Sequence, residues 1–243
     1  MSMRVMIRSL LVLGGVAALV AGAAEPLDPP NALSAAEKAA GWRLLFDGKT
    51  TQGWRGFRKE AFPAQGWSVE EGCLKHAAKG GGGDIVTVDT FEDFELRFEW
   101  RIAPGANSGV KYMIVEARGS PIGHEYQVVD DAQHADGRRG PKWQTGSFYD
   151  CLPAATNKVM HPAGQFNQSR ILVHGQHVEH WLNETRTVQY ELDSDALKAA
   201  VAASKFKNVS GFGTKLRGPI LFQDHGDEVC FRNVKIREGL AAK

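Results

Sequence analysis

The 243 residues carry 29 Lys and Arg against 28 Asp and Glu, a formal charge of +1, which argues against nucleic acid or any other polyanion as partner, since such binding rests on clustered cations. Three cysteines, Cys73, Cys151 and Cys230, are too few and too widely spaced for a disulfide framework or a zinc pattern, so at most one pair can bridge. Beyond the first 24 residues about 220 remain, the size of one domain with a substantial two-layer core.

Residues 1–24 read as a secretory signal. Arg4 and Arg8 precede the apolar run Leu10–Ala21, and small residues follow through Ala24. The run is short for a membrane span, and no later stretch approaches one. The expected product is a periplasmic or secreted protein of one domain, residues 25–243.

Asn31–Gly41 is Ala-rich with Ser34 three residues before Glu37, which predicts a capped short helix. From there the helical signal nearly vanishes. Leu44–Phe46, Trp67–Val69, Ile85–Thr87, Phe94–Ile102, Val110–Val115, Glu125–Val129, Arg170–Val173, His177–Leu182, Val188–Leu192, Ile220–Gln223 and Val229–Ile236 read as strands, short, rich in β-branched and aromatic residues, and punctuated by Gly, Pro or Asp. A second helix is expected near Asp193–Ala203. In Phe94–Ile102 the apolar residues all alternate to one face, as in a strand covering a core on one side. Many such strands predict an all-β fold, an antiparallel two-sheet jelly-roll sandwich with few short helices.

The most informative stretch is Ile122–Tyr149. Along a strand Glu125, Gln127 and Val129 share one face and His124, Tyr126 and Val128 the other. Burying a carboxyl and an amide without partners costs about 1–3 kcal/mol each, so the Glu125–Gln127 face is either solvated or a site. Asp130 and Asp131 stand at the strand's exit, His134 and Asp136 in the loop beyond, and Tyr149 at its end, either a phenol aimed into a cleft or a packing ring. Oxygen ligands between Asp130 and Asp136 could hold a hard divalent ion. The eight histidines show no HExxH motif, and His177 and His180 point to opposite faces of a strand, which disfavours zinc. Gly80–Gly83 lacks the Lys-Ser/Thr and helix of a phosphate loop. Lys111, directly after a turn, could offset a developing negative charge. Trp181 and Asn183, and Gln223 with Asp224 and His225, mix aromatic and polar groups as sugar sites do.

Taken in order, Leu44–Lys49, Asn107-Ser108-Gly109-Val110-Lys111-Tyr112, Glu125–Asp131, His180–Asn183, Ser204–Phe206, Gly218–Gly226 and Phe231–Ile236 resemble the 3-keto-disaccharide hydrolase domain family over about Gly41 to Leu240. The resemblance implies a concanavalin A-like lectin and glucanase fold and cleavage of 3-keto-glycosides. It sets Lys111, Glu125, Gln127, Asp130, Tyr149, Gln223 and His225 in a cleft, with Glu125 or His225 as base, Lys111 or a divalent cation at the oxyanion, and Tyr149 or His134 as acid. Trp181 and Asn183 join Gln127, Asp130 and Gln223 as expected sugar contacts. No redox cofactor is implied, because a separate sugar 3-dehydrogenase would make the ketone. Where the family has Asn-Gly this chain has Asn183-Glu184, which predicts a reshaped hairpin turn. The competing readings are a non-catalytic carbohydrate-binding module of lectin type and a direct glycosidase. The latter needs two suitably spaced acids, and Glu125-x-Gln127 offers one.

Overall fold

The computed structural model describes residues 29–240; the expected signal segment lies outside them. In chain order the elements are α1 (Ala35–Ala39), β1 (Arg43–Leu44), β2 (Trp54–Gly56), β3 (Trp67–Glu70), β4 (Cys73–His76), β5 (Ile85–Thr87), β6 (Phe94–Ile102), β7 (Asn107–Tyr112), β8 (His124–Val129), β9 (Asn167–His174), β10 (His177–Leu182), β11 (Thr185–Glu191), α2 (Asp195–Ala202), β12 (Leu221–Phe222) and β13 (Val229–Arg237). Short 3₁₀ turns fill parts of the 116–143 region. No helix among the described residues is long and apolar enough to cross a membrane.

The strands form two antiparallel sheets in a jelly-roll sandwich. One runs β11-β10-β9-β6-β13-β4-β3, with β1 also on β13; the other runs β2-β5-β12-β7-β8. The first helix starts as the sequence suggests, and the second starts at Asp195 within the expected segment. Ser34 accepts from the Glu37 amide while Glu37 reaches back to the Ser34 amide, and Ser194 accepts from the Leu197 amide. The strand expected at Val110–Val115 instead spans Asn107–Tyr112, because Met113 takes φ 55° and breaks the ladder. Two strands had no sequence forecast, β2 and β4; β4 pairs with β3 across a two-residue turn at Glu71-Gly72, both at positive φ.

Between the sheets, alternation does the sorting. Phe94, Leu96, Phe98, Trp100 and Ile102 of β6 are all buried. They meet the inward residues of the smaller sheet, with Phe98 5.7 Å from Tyr126 and Phe94 6.0 Å from Tyr112, edge-on. A disulfide joins Cys73 to Cys230 across β4 and β13, and Cys151 is a buried free thiol pushed up to about 11 by burial.

Polar groups in this core are arranged in a line. The Gly213 amide donates to His124 Nε2 (3.2 Å), so His124 must carry its proton on Nδ1 and donate to Tyr190 Oη (2.8 Å). Tyr190 then donates to Tyr112 (2.8 Å), Tyr112 to His180 Nε2 (2.7 Å), and His180 Nδ1 to the Gly146 carbonyl (3.3 Å). Every member is satisfied in one direction, which is what a fully buried polar network requires. Its last acceptor, Gly146, also takes the Thr187 hydroxyl at 2.8 Å and donates its own amide to the Gln127 carbonyl. The core thereby fixes the 145–149 loop beside β8.

The Asn183-Glu184 turn is not reshaped. Leu182 pairs with Thr185, so the loop keeps two residues, both left-handed (φ 42° and 68°). Asn183 tolerates this because its side chain accepts from the Gln168 amide and donates to Val159 and Asn167 oxygens.

Candidate functional site

The outward face of the smaller sheet carries polar residues in rows set by strand register. In the first row Val86 pairs with Leu221, Leu221 with Lys111, and Lys111 with Glu125. Lys111 and Glu125 are 7% and 5% exposed, and Nζ lies 3.8 Å from Oε2. Two residues along, Gly109 pairs with Gln127, and the Gln223 amide donates to the Gly109 carbonyl at 3.0 Å. The β5–β12 register brings Gln223 to the level of Asp84, whose carboxylate accepts from the Asp224 amide at 2.8 Å. The third row holds Asn107, whose amide donates to Asp227 Oδ2 at 2.9 Å and whose side chain lies 3.3 Å from His225 Nε2.

Gly109 has no Cβ, and two side-chain oxygens take the room this leaves. A Cβ there would stand 2.6 Å from Glu125 Oε1 and 3.2 Å from Gln223 Oε1. The side-chain oxygens of Gln223 and of Gln127, itself only 1% exposed, are buried without a hydrogen-bond partner. Leaving such atoms unpaired costs about 1–3 kcal/mol each. A hydroxyl, able both to donate and to accept, would satisfy either amide whichever way it is turned. The Glu125–Gln127 face is thus neither solvated nor apolar core. It is a buried polar floor.

Burial raises the Asp84 carboxyl above the usual carboxylate range; Lys111 pulls it back in part, while Glu125 and Asp224 push it further up. Tyr149 caps the far side of the floor, its amide on the Glu125 carbonyl and its hydroxyl donating to Asp136 Oδ2 at 2.7 Å. Burial, then Asp136, raises the phenol, so Tyr149 serves poorly as a proton donor while that bond holds. Asp136 is itself lowered, its burial outweighed by the Tyr149 and Arg139 hydrogen bonds.

His134 offers a hydrogen-bond donor instead. Its Nδ1 accepts from the Asp136 amide at 3.0 Å, which puts the proton of the neutral ring on Nε2, and the ring lies 5.8 Å from that of His225. One ligand atom each of His134, His225 and Asp227 falls within 4.8 Å of the others, a spacing a divalent cation could draw together. The same backbone bond opposes this: His134 can offer Nε2 as a ligand only by releasing the Asp136 amide. The His134 Nε2–H is therefore a donor.

Three sequence-derived contacts lie apart from this group. Asp130 binds backbone: it accepts from the amides of Gly105, Ala132 and Gln133 and shapes the turn out of β8. Trp181 and Asn183 sit on β10 and its hairpin turn in the other sheet, where Trp181 donates to Glu179 and lies under Arg170 at 4.2 Å. Nor do the acidic residues of the Asp130–Asp136 loop form a cation cage, since Asp131 takes Lys158 at 2.7 Å and Asp136 takes Tyr149 and Arg139. Lys111, Glu125, Gln127, Tyr149, Gln223, His225 and His134 do come together. Asp84, Asn107, Gly109 and Asp227 join them without having been singled out. The alternation Asn107-Gly109-Lys111 was there to be read, but a strand started at Val110 cuts it off.

Residues 41–237 match the model of the 3-keto-alpha-glucoside-1,2-lyase-like domain. A 3-keto-disaccharide hydrolase of Bacteroides thetaiotaomicron is 34% identical over 231 residues, covering 82% of this chain and 79% of that protein. Two crystal structures of proteins described as glycosyl hydrolases from Parabacteroides distasonis are also similar. One is 33% identical with a TM-score of 0.76, covering 86% of this chain and 99% of its own; the other is 27% identical with a TM-score of 0.61, covering 81% and 98%. The chain belongs to the 3-keto-alpha-glucoside-1,2-lyase-like family.

Proposed function

We propose that this protein is a carbohydrate-cleaving enzyme acting on 3-keto-glycosides, with the keto-sugar seated over Gly109. The observation that carries the reading is the buried Lys111–Glu125 pair beside a floor with no side chain at its centre and unpartnered amide oxygens around it. A ketone at C3 acidifies the C2 proton. Glu125 removes it, the enolate oxygen is met by the Lys111 ammonium, and the C1–O bond breaks with its electron pair leaving on oxygen. Water then adds across C1 and C2, the hydroxyl at C1 and the proton at C2, so the net change is hydrolysis. His134 and Asp84, each in its protonated form, are the candidate proton donors, and His225 is the second candidate base.

Incubation with a 3-keto-glucoside and its unoxidised parent, followed by aglycone and reducing-sugar detection, tests the reading. Release from the keto form alone is expected. Release from the parent would indicate a direct glycosidase built on Glu125 and Asp84, and binding without release would indicate a carbohydrate-binding module. The reading also calls for a separate sugar 3-dehydrogenase upstream. Export to the periplasm or beyond is proposed from the leader-like residues 1–24; N-terminal sequencing from the host showing Met1 or Ser2 intact would refute it.

A further inference from the structure

Next to the Lys111–Glu125 pair lies a compartment of about 330 Å³ whose chemistry differs from the floor. Lys111 and Glu125 line it on one side; Pro121, Ile122, Phe206 and Val209 line the rest. Ile122 and Val209 are only partly buried yet pack on the main core, and Phe206 is held by Phe212 in a stack at 4.3 Å, so this wall is preformed. The Lys205 ammonium stands at its rim, 4.3 Å above the Tyr149 ring and 5.0 Å from the Phe206 ring.

We propose that this compartment is the leaving-group subsite and that it takes a flat aromatic aglycone, a phenol, in preference to a second sugar. The inference rests on the keto-glycoside reading of the floor and adds the substrate class to it. Two features support it. A second sugar would set hydroxyls against hydrocarbon from Pro121, Ile122 and Val209, with only Lys205 and the catalytic pair to answer them, whereas an aromatic ring gains from the same burial. The leaving oxygen also bears on the choice. The Tyr149 hydroxyl is committed to Asp136, and the one carboxyl lining the compartment is Glu125, which the reading of the floor uses as the base. A phenol departs as phenolate when the C1–O pair moves onto its oxygen, the Lys111 and Lys205 ammonium groups offset that charge, and water supplies the hydroxyl at C1 and the proton at C2. A sugar alkoxide would need full protonation as it leaves.

The experiment measures binding of unoxidised phenyl β-glucoside, methyl β-glucoside and cellobiose to the full chain by calorimetry, and turnover of the matching 3-keto compounds. The phenyl glucoside should bind at least tenfold more tightly than cellobiose, and Ile122→Asn or Val209→Asn should cut that ratio several-fold. Two substitutions at partly exposed positions guard against a folding defect in either, with circular dichroism as check. Cellobiose binding as tightly as the phenyl glucoside, a preference untouched by both variants, or no binding of any of the three would overturn the subsite. An Ile122-dependent phenyl preference without turnover of any keto compound would sustain the subsite and defeat the catalytic reading alone.

Discussion

Lys111 and Glu125 lie directly opposite each other on β7 and β8, Nζ to Oε2 at 3.8 Å, and both are almost wholly buried. Glu125→Gln keeps the shape and removes the proton acceptor. Turnover of a 3-keto-glycoside should fall by about 10²–10⁴ in kcat with KM little changed. The variant should also lose roughly 1–3 kcal/mol of stability, because the buried Lys111 ammonium then loses the carboxylate it faces at 3.8 Å. Wild-type turnover would move the role of base to His225.

Gly109 has an ordinary φ, so Gly109→Ala adds volume without backbone strain. Its Cβ would intrude on Glu125 Oε1 and Gln223 Oε1. Circular dichroism and melting should stay near wild type, while kcat/KM drops by about 10²-fold, the scale expected when a reacting group is displaced by an ångström. An active Gly109→Ala enzyme would mean that the sugar does not sit over this position.

Glu184 is an exposed residue held left-handed in a two-residue turn. Glycine has no penalty there, so Glu184→Gly should raise stability by about 0.5–1 kcal/mol, read as a higher urea midpoint at unchanged m-value. A drop would show that the Glu184 side chain makes a compensating contribution in solution.

Burial pushes His124 down to about 3 and His180 down to about 4, the His180 shift only partly opposed by its bonds to backbone at Gly146 and Ser147. Both rings are neutral when folded and protonate in the unfolded chain below about 6.5. The unfolded state then binds more protons, so stability falls with pH from about 6.5 down toward 4. The slope should approach two protons, about 2.7 kcal/mol per pH unit at most. His177, raised by its Glu191 hydrogen bond, works in the opposite sense over the neutral range, but it is partly exposed and contributes less. NMR titration should find the His124 and His180 ring signals unshifted at pH 5; protonation of either near 6 would contradict the one-way network.

Side-chain alternation and helix capping are local properties, and the sequence by itself determined the features that depend on them: a β-sandwich, the inward face of Phe94–Ile102, the sharing of one face by Glu125 and Gln127, and the Ser34–Glu37 cap. The family was readable too, in motifs spread along nearly the whole chain. The tertiary structure decided which faces meet. Asp84, Gly109, Glu125 and Gln223 are neighbours only because the register β5–β12–β7–β8 joins segments separated by as much as 140 residues. The same long-range pairing puts β10, with Trp181, into the other sheet and away from the cleft. Asp130 and Tyr149 show the limit at the scale of single groups: a carboxyl or a phenol is identifiable from its residue type, but whether its hydrogen bonds go to substrate, backbone or Asp136 depends on what the folded chain brings within about 3 Å.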